Sequence, residues 1–337
     1  MIIVLRMDTP EEDVEKIKET LIANGMSFNV LKGAKFTLIP VVGDLTTSDI
    51  GRFKSLPSVE KVIAVSKPYY LVSSQYKKEK TVVDLGDGVE VGKGFSMISG
   101  PCSVESEESL EKIATFLEEQ GVRILRGGTF KLRASPYSFQ GLGEKGLKIL
   151  RDVSSRHNMK CVSEIVDVRN LDVFLECVDI IQVGARNMMN FSLLKELGKS
   201  GKPVFLKRSL SAKIDDFLLS AEYLLSEGNE NVILCERGVQ AFDDITRSNV
   251  NIASIPILKD MTHLPIIFDP SHSVGIAKYV PATSLAAVLM GVDGLMVETH
   301  FNPSNALSDG YQTIDFETFE KTYRKINSLI KFMDEEG

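Results

Sequence analysis

The sequence of 337 residues predicts an α/β protein in which a small ferredoxin-like βαββαβ domain precedes a (β/α)8 TIM barrel. Eight apolar strand patterns alternate with helical patterns beyond residue 94, which fits the barrel in number and length. No Gly-x-Gly-x-x-Gly follows the first of these strands, so a doubly wound open sheet is the less favoured alternative. We therefore divide the chain into a ferredoxin-like domain at 1–67, a linker at 68–80, and the barrel with an N-terminal hairpin at 81–337.

Residues 1–67 show the split-βαβ pattern of a ferredoxin-like fold. Strands are predicted at residues 2–7, 27–31, 35–41 and 59–65. Pro10 in the first turn and Gly25 after the last turn delimit one helix, and Thr46 or Thr47 caps a second that reaches about residue 55. Such a domain beside an enzyme is either a regulatory module or a structural extension, and the pattern alone leaves both open.

The next segment, residues 68–80, becomes polar toward its end, as expected of a linker. Gly86-Asp87-Gly88 lies in the middle of residues 81–91 and predicts a β-hairpin there. We expect this hairpin to close one end of the barrel.

The barrel strands and helices follow in alternation with short connections. Strands are predicted at residues 95–100, 122–126, 160–165, 179–183, 204–207, 232–235, 265–268 and 294–297. Helices are predicted at residues 107–120, 144–156, 167–177, 191–200, 214–227, 253–261, 282–290 and 315–334. In a barrel the carboxyl ends of all eight strands meet at one face, where active sites are built.

Residues suited to binding or catalysis follow nearly every barrel strand. They are Cys102, Arg126 with Lys131, Glu164, Arg186, Lys207 with Arg208, Arg237, Asp269 with His272, and Glu298 with Asp309 beyond it. One basic residue at a strand end usually forms a surface ion pair, but several that point into one mouth repel each other unless an anion binds. Arginine forks and the glycine pair after Arg126 suit a phosphate or a carboxylate. The pattern therefore predicts an anion-binding active site.

Four of these residues are candidate ligands of a divalent transition metal, namely Cys102, His272, Glu298 and Asp309. Thiolate, imidazole and carboxylate donors suit such an ion, whereas magnesium avoids sulfur. Their spacing is not a local metal motif, and a lone Cys or His at a strand end is more often a packed or hydrogen-bonded core residue. The spacing alone leaves both interpretations open.

The composition excludes several classes of function. Hydrophobic residues make up 43% of the chain and charged residues 25%, and the net charge of −7 with no basic stripe argues against general nucleic-acid binding. No apolar run approaches the length of a membrane span, and the N-terminus lacks the layout of a signal peptide. The four cysteines do not resemble a disulfide framework, so we expect a cytoplasmic enzyme.

Six motifs become recognisable when they are taken together. They are Ser99-Gly-Pro-Cys-Ser-Val-Glu-Ser106, Arg126-Gly-Gly-Thr-Phe-Lys131, Ser135-Pro-Tyr-Ser-Phe-Gln-Gly141, Gly184-Ala-Arg-Asn187, Phe268-Asp-Pro-Ser-His272 and Ala306-Leu-Ser-Asp-Gly310. This set closely resembles the 3-deoxy-D-arabino-heptulosonate 7-phosphate (DAHP) synthases, in the type I β branch shared with 3-deoxy-D-manno-octulosonate 8-phosphate synthases. Residues 1–67 resemble the regulatory extension that some members carry.

The resemblance implies an activity and an assembly. The activity is the condensation of phosphoenolpyruvate (PEP) with D-erythrose 4-phosphate and water to give DAHP and phosphate, the first step of the shikimate pathway to aromatic amino acids. The same resemblance implies a homotetramer and feedback inhibition by tyrosine, phenylalanine or both.

The resemblance also implies roles for individual residues. The implied ligands of a divalent metal such as Mn²⁺, Fe²⁺, Zn²⁺ or Co²⁺ are Cys102, His272, Glu298 and Asp309. The residues implied to surround PEP are Arg126, Lys131, Arg186, Lys207 and Arg237, and those implied to bind erythrose 4-phosphate are Arg133 and Ser135. Asp269 is a further implied substrate-binding residue. The implied catalytic residues are Lys131, as a proton donor, Glu164, as the group that orients water, Cys102 and His272.

The aldose-binding motif departs from the family. It usually reads Lys-Pro-Arg-Thr followed by Ser or Thr, whereas here it reads Lys131-Leu132-Arg133-Ala134-Ser135. The missing hydroxyl and the missing proline bear on how tightly the aldose phosphate is held. The alternative activity, octulosonate 8-phosphate synthesis from arabinose 5-phosphate, goes with Lys-Ala-Asn-Arg-Ser in this place, so Arg133 in the third position favours the four-carbon aldose.

Overall fold

The N-terminal domain is built on one antiparallel sheet. The computed structural model describes residues 1–6, 8–33, 36–42, 47–63, 67–133 and 135–336 of the chain. The first elements are β1 (Ile2–Leu5), α1 (Glu11–Ala23), β2 (Ser27–Phe28), β3 (Leu31–Lys32), β4 (Thr37–Val42), α2 (Thr47–Lys54) and β5 (Val59–Ile63). Strand β1 lies between β4 and β5 and is antiparallel to both, while β2 and β3 pair with β4. The ferredoxin-like order is thus confirmed.

Details of this domain differ from the sequence prediction. The strand expected at residues 27–31 is divided into β2 and β3. The predicted strand ends at Met7, Lys35 and residues 64–65, and the proposed cap Thr46, lie outside the described residues. One face of α1 buries Val14 and Ile17 against β1, which gives the domain a small core of its own.

The hairpin predicted at residues 81–91 consists of β6 (Val83–Asp84) and β7 (Glu90–Val91). Its turn contains Asp87 at a φ of 54°, between two glycines that also have positive φ. Val83 and Val91 are buried in one cluster with apolar residues that point into the barrel. Since the hairpin also pairs Asp87 with Lys160 at the start of a barrel strand, it closes the amino-terminal end of the barrel.

The barrel strands close into one ring of eight parallel strands, in the order that the sequence predicts. The strands are β8 (Ser96–Gly100), β9 (Ile124–Arg126), β10 (Lys160–Ile165), β11 (Ile180–Val183), β12 (Val204–Lys207), β13 (Val232–Glu236), β14 (Ile266–Phe268) and β15 (Gly294–Glu298). The helices are α3 (Glu107–Glu119), α4 (Glu144–Arg156), α5 (Leu171–Cys177), α6 (Phe191–Ser200), α7 (Ile214–Ser226), α8 (Ser254–Met261), α9 (Pro270–Val274), α10 (Val280–Leu289) and α11 (Phe316–Glu336). None of the helices in the described part of the chain combines the length and the apolar character that crossing a bilayer requires.

Helix α9 is an element that the sequence analysis did not predict. Asp269 caps it by accepting a hydrogen bond from the backbone N–H of His272 at 2.9 Å, Pro270 occupies its first turn, and Gly275 ends it at a φ of 68°. The short helix directly follows β14, so it brings His272 back over the strand ends.

Residues 68–80, which the sequence analysis assigns to a linker, are packed against the barrel helices. The carboxylate of Glu222 in α7 accepts hydrogen bonds from three consecutive backbone N–H groups, at Tyr70, Leu71 and Val72, over 2.9–3.0 Å. Residues 69–72 are buried, and the ring of His263 lies 2.8 Å from the carbonyl oxygen of Leu71. The first part of this segment therefore belongs to the packing of the barrel.

Candidate active site

The carboxyl ends of the barrel strands surround a cavity of about 350 Å³. Ten of the residues singled out from the sequence line it, namely Cys102, Arg126, Lys131, Arg133, Glu164, Arg186, Lys207, Arg237, His272 and Asp309. Glu298 and Asp269 are buried beside them and do not line the cavity, and Ser135 lies on the exposed loop after Arg133. The cavity is at the face where barrel enzymes carry their active sites.

Three of the four candidate metal ligands form a tight cluster. One ligand atom each from Cys102, Glu298 and Asp309 lies within 4.8 Å of the others, and the thiol of Cys102 is 3.2 Å from Oδ2 of Asp309. His272 is beside this cluster, with Nε2 3.5 Å from Oε1 of Glu298. Residues more than 200 positions apart in the chain thus meet because their strands are neighbours in the barrel.

The cluster has the character of a transition-metal site. Burial, together with the charge of Glu298, raises the pKa of Cys102 to about 12 even though Lys131 and Arg126 are beside it, so the thiol needs a further cation, such as a bound metal ion, to ionise. Burial lowers the pKa of His272 to about 4, which keeps the imidazole neutral, as a ligand must be. The buried Nδ1 of His272 lies 2.8 Å from Oδ2 of Asp269 but lacks an aligned hydrogen bond. One thiol, one imidazole and two carboxylates therefore fit a divalent transition ion.

Glu298 is held in place by cations on one side and by an amide on the other. Arg126 donates from Nη1 to Oε1 of Glu298 at 2.8 Å and to the carbonyl oxygen of Pro101 at 2.8 Å. Gln312 donates from Nε2 to Oε2 of Glu298 at 2.6 Å. Burial alone would raise the pKa of Glu298, but the positive charges around it, together with the bond from Gln312, outweigh burial and hold it at about 2. Glu298 is therefore a carboxylate.

Asp269 organises the site from beneath. Its buried carboxylate accepts from Nζ of Lys207 and caps α9. Burial by itself would raise the pKa of Asp269, but the contacts with His272 and Lys207 outweigh it and hold that pKa well below its ordinary value. Because Asp269 does not line the cavity, it is placed to orient Lys207 and His272.

Three of the cations at the cavity follow alternate barrel strands, β9, β11 and β13. Lys131 lies with Nζ 2.8 Å from Sγ of Cys102, and Arg186 donates from Nη1 to the carbonyl oxygen of Leu132 at 3.1 Å. Arg237 is buried and donates from Nη2 to the carbonyl oxygen of His272 at 3.0 Å. Burial, with the neighbouring guanidinium of Arg247, lowers the pKa of Arg237, although the group stays charged.

Glu164 enters the cavity over a glycine. A Cβ atom at Gly184 would lie 1.9 Å from Oε1 of Glu164, so any side chain at position 184 would occupy the place of this carboxylate. Gln182 donates from Nε2 to the other oxygen of Glu164 at 3.1 Å. The residues around Gly184 thus fix where Glu164 points.

The sequence analysis missed three residues of this site. Gln182 and Arg247 line the cavity, and Gln312 contacts Glu298 from behind. Gln182 interrupts the apolar pattern of a predicted strand, and this polar residue could have indicated a side chain of the site. Arg247 and Gln312 lie in loops, where no periodicity indicates which way a side chain points.

Comparison with protein families matches most of the chain. A family model described as the DAHP synthetase I family matches residues 77–333, and one described as the DAHP synthase ferredoxin-like domain matches residues 1–67. Residues 68–76, between the two matches, belong to the segment that follows the N-terminal domain.

Relatives of known name support the same grouping. The phospho-2-dehydro-3-deoxyheptonate aldolase of Thermotoga maritima is 46% identical over 330 residues, which cover 98% of this chain and 97% of that protein. The 2-dehydro-3-deoxyphosphooctonate aldolase of Francisella tularensis is 32% identical over 262 residues, which cover 71% of this chain and 94% of that protein.

Solved structures are similar over the same range. The crystal structure of the DAHP synthase from Thermotoga maritima has a TM-score of 0.79 at 45% identity and covers 98% of this chain and 97% of that one. A truncated form of the synthase from the same organism has a TM-score of 0.73 at 45% identity and covers 78% of this chain and 97% of that one.

Proposed function

The chain belongs to the DAHP synthase I family, and from this premise we propose that it condenses PEP with D-erythrose 4-phosphate and water in a metal-dependent reaction that releases DAHP and phosphate. The observation that carries the proposal is a cavity in which cations from several strand ends face a buried cluster of Cys102, Glu298 and Asp309 with His272 beside it. DAHP synthase activity follows from family membership, and the roles of single residues are proposals.

The cations of the cavity suit PEP as the first substrate. PEP carries a phosphate and a carboxylate, so several separate cations are needed to hold it in one pose. We assign this task to Arg126, Lys131, Arg186, Lys207 and Arg237, with Asp269 acting through Lys207. Arg126 and Lys207 already hold buried carboxylates, so each of them is fixed before the substrate arrives.

Enzymes of this family generally depend on a divalent metal, and the residues that would hold it here are Cys102, His272, Glu298 and Asp309. When bound, such an ion supplies Lewis-acid polarisation of the aldehyde oxygen, which the weakly nucleophilic methylene of PEP requires. The rest of the chemistry falls to side chains of the chain.

Two side chains are placed to transfer a proton and to orient a water molecule. Lys131 has its Nζ next to Cys102, so it can bridge PEP and the aldehyde oxygen and deliver a proton to that oxygen. Glu164 points into the cavity over Gly184, where it can orient the water that adds to C2 of PEP. Collapse of the resulting hemiketal phosphate by cleavage of its C–O bond releases phosphate.

The loop after Lys131 suits the aldose phosphate. Arg133 lines the cavity and supplies the charged contact, while Ser135 lies further along the same exposed loop. The carbonyl oxygen of Leu132 is tied to Arg186, so the loop is linked to the PEP-binding cations even though proline is absent.

The choice of aldose separates the proposal from its runner-up. Phosphate release is to be measured with PEP and either erythrose 4-phosphate or arabinose 5-phosphate, and we expect kcat/KM to favour erythrose 4-phosphate. The octulosonate relative aligns over 71% of this chain at 32% identity, against 98% at 46% for the heptonate relative. A preference for arabinose 5-phosphate would make the chain an octulosonate synthase.

Metal dependence has its own experiment. Removal of metal with a chelator should abolish phosphate release, and Mn²⁺ or Co²⁺ should restore it. Cys102→Ala removes one donor of the cluster and should prevent the recovery, whereas Cys161→Ala, at a buried cysteine outside the cavity, should recover like the wild type. Full activity after chelation would contradict the proposal.

We further propose that residues 1–67 confer feedback inhibition by tyrosine or phenylalanine. The match of these residues to the ferredoxin-like domain of DAHP synthases supports a regulatory role. Activity is to be titrated with each amino acid, and an enzyme that ignores both would leave the domain a structural part. A homotetramer stays an expectation, to be checked by light scattering.

A further inference from the structure

A chain of two hydrogen bonds connects the loop after β13 with the proposed metal cluster. Arg247 donates from Nη1 to Oε1 of Gln312 at 2.7 Å, and Gln312 donates from Nε2 to Oε2 of Glu298 at 2.6 Å. Gln312 and Glu298 are almost completely buried. The proposed role of Glu298 as a metal ligand does not explain the presence of Arg247, a cation that reaches Glu298 only through Gln312.

The two partners fix which way the amide of Gln312 points. A guanidinium can only donate, and an ionised carboxylate can only accept. Gln312 must therefore turn its oxygen to Arg247 and its NH₂ group to Glu298. Without Arg247, the buried amide oxygen of Gln312 would lose this donor, and the amide would be held from one side only, through its bond to Glu298.

Arg247 is itself held firmly for a residue at the rim of the cavity. Its backbone N–H donates to the carbonyl oxygen of Val274 at 3.1 Å, and Gly275 approaches so closely that a Cβ atom there would lie 2.3 Å from the Cβ atom of Arg247. The side chain is 31% exposed, and its Nη1 is 3.9 Å from Oδ2 of Asp309. The loop is thereby attached to the end of α9, and the guanidinium faces one candidate ligand, Asp309, and reaches Glu298 through Gln312.

We propose that Gln312 is a positioning residue for Glu298 and that Arg247 acts through Gln312 by holding its amide in the orientation that donates. The inference rests on the metal site proposed above and extends it to two residues that do not ligate. Arg126 holds Oε1 of Glu298, so the relay from Arg247 completes the support by holding Oε2. Partners of this kind typically contribute 10- to 100-fold to metal affinity.

The test is a double-mutant cycle on metal affinity. Full-length protein is stripped of metal and titrated with Co²⁺, whose charge-transfer absorption with the Cys102 thiolate reports the site directly. We expect Arg247→Met and Gln312→Leu each to weaken the Kd about 10- to 100-fold. The double variant should be no weaker than Gln312→Leu alone, because Arg247 supports Glu298 only through Gln312 and its Nη1, 3.9 Å from Oδ2 of Asp309, is too far for a hydrogen bond there.

Two further variants sharpen the cycle. Arg247→Lys keeps a donor that faces Gln312 and should recover part of the affinity lost in Arg247→Met. Arg324→Met removes an exposed arginine from α11, away from the cavity, and should leave the Kd for Co²⁺ unchanged.

Three results would overturn the inference. Additive losses in the double variant would mean that Arg247 and Gln312 act separately. An unchanged Kd for Co²⁺ together with a raised KM for PEP would make Arg247 a substrate contact, and an unchanged Kd with only a lower Tm would make it a structural residue. A wild-type protein that shows no cobalt–thiolate absorption would refute the metal site itself, and this inference with it.

Discussion

At the scale of single residues, Gly184 has a specific task. A Cβ atom at this position would lie 1.9 Å from Oε1 of Glu164, so the absence of a side chain leaves the space that the carboxylate occupies. Gly184→Ala should push the flexible end of Glu164 aside and reduce kcat about 100-fold, because a misplacement of about 1 Å has that cost. The free energy of unfolding should change by less than about 1 kcal/mol, since a flexible side chain can move.

Steady-state kinetics and thermal melting together check the prediction for Gly184. Gly51→Ala is the matched control, because nothing lies within 4 Å of a Cβ atom at that position, and it should leave kcat unchanged. A Gly184→Ala enzyme that keeps its kcat would show that Glu164 does not depend on this space, and a variant that unfolds would show that the side chain of Glu164 cannot move aside.

A second residue-scale prediction concerns Ala134, which lies outside the described residues. The related motif carries threonine there, and Arg133 beside it lines the cavity. Ala134→Thr adds a hydroxyl that can donate to the aldose phosphate, so KM for erythrose 4-phosphate should fall about fivefold, the value of one hydrogen bond of about 1 kcal/mol. Ala134→Val adds similar volume without the hydroxyl and should not lower this KM, and KM for PEP should be unchanged in both variants.

At the scale of the elements, the sequence predicted what periodicity encodes. The barrel strands are mostly apolar runs of three to six residues with chemistry-bearing residues at their ends, so both the strands and most of the cavity could be located. Helix α9 was missed although Asp269, Pro270 and Gly275 are ordinary helix boundary residues, because five residues are too few for a helical period. Asp269 was expected to bind substrate, whereas its orientation beneath Lys207 depends on contacts between strands that no local pattern contains.

The contact between α3 and α4 leads to a pH-dependent prediction. His157, at the end of α4, lies with Nδ1 2.7 Å from Glu118 and Nε2 3.0 Å from Glu111, both on α3. Burial lowers the pKa of His157, but the two carboxylates outweigh it and raise the pKa above its ordinary value. The contacts of protonated His157 with the two carboxylates therefore stabilise the fold fully below about pH 6.5, the pKa of His157 in the unfolded chain. This stabilisation is lost as the pH rises through the higher pKa of His157 in the folded protein.

His157→Gln should accordingly reduce the free energy of unfolding by about 1 kcal/mol at acid pH and by much less at alkaline pH. Denaturant unfolding at both pH values measures the difference, with Glu118→Gln as a second variant that should shift the titration of His157 downward. A loss of equal size at both pH values would mean that the ring acts by packing and not by charge.

At the scale of the whole molecule, residues 69–72 connect the two domains and belong to both. The N-terminal sheet places Ile2, Val4 and Leu38 in one apolar cluster with these residues, and Lys61 lies 5.7 Å from the centre of the Tyr70 ring. On the other side, Glu222 of the barrel binds their backbone. A change in how the N-terminal domain sits can thus reach the barrel through a segment that is hydrogen-bonded to α7.

The position of this segment determines where the chain can be cut. A protein of residues 68–337 keeps the contacts of Glu222, so it should fold, retain kcat within about twofold and lose inhibition by tyrosine and phenylalanine. A protein of residues 81–337 loses five buried residues, exposes the apolar surface that they cover, and deprives Glu222 of three backbone donors, which should together cost more than about 3 kcal/mol and lower the Tm by at least about 5 °C. Activity, inhibition and thermal melting of the two proteins test this directly. Equal melting temperatures would mean that the segment is a simple linker, and inhibition that survives in residues 68–337 would place the effector site in the barrel.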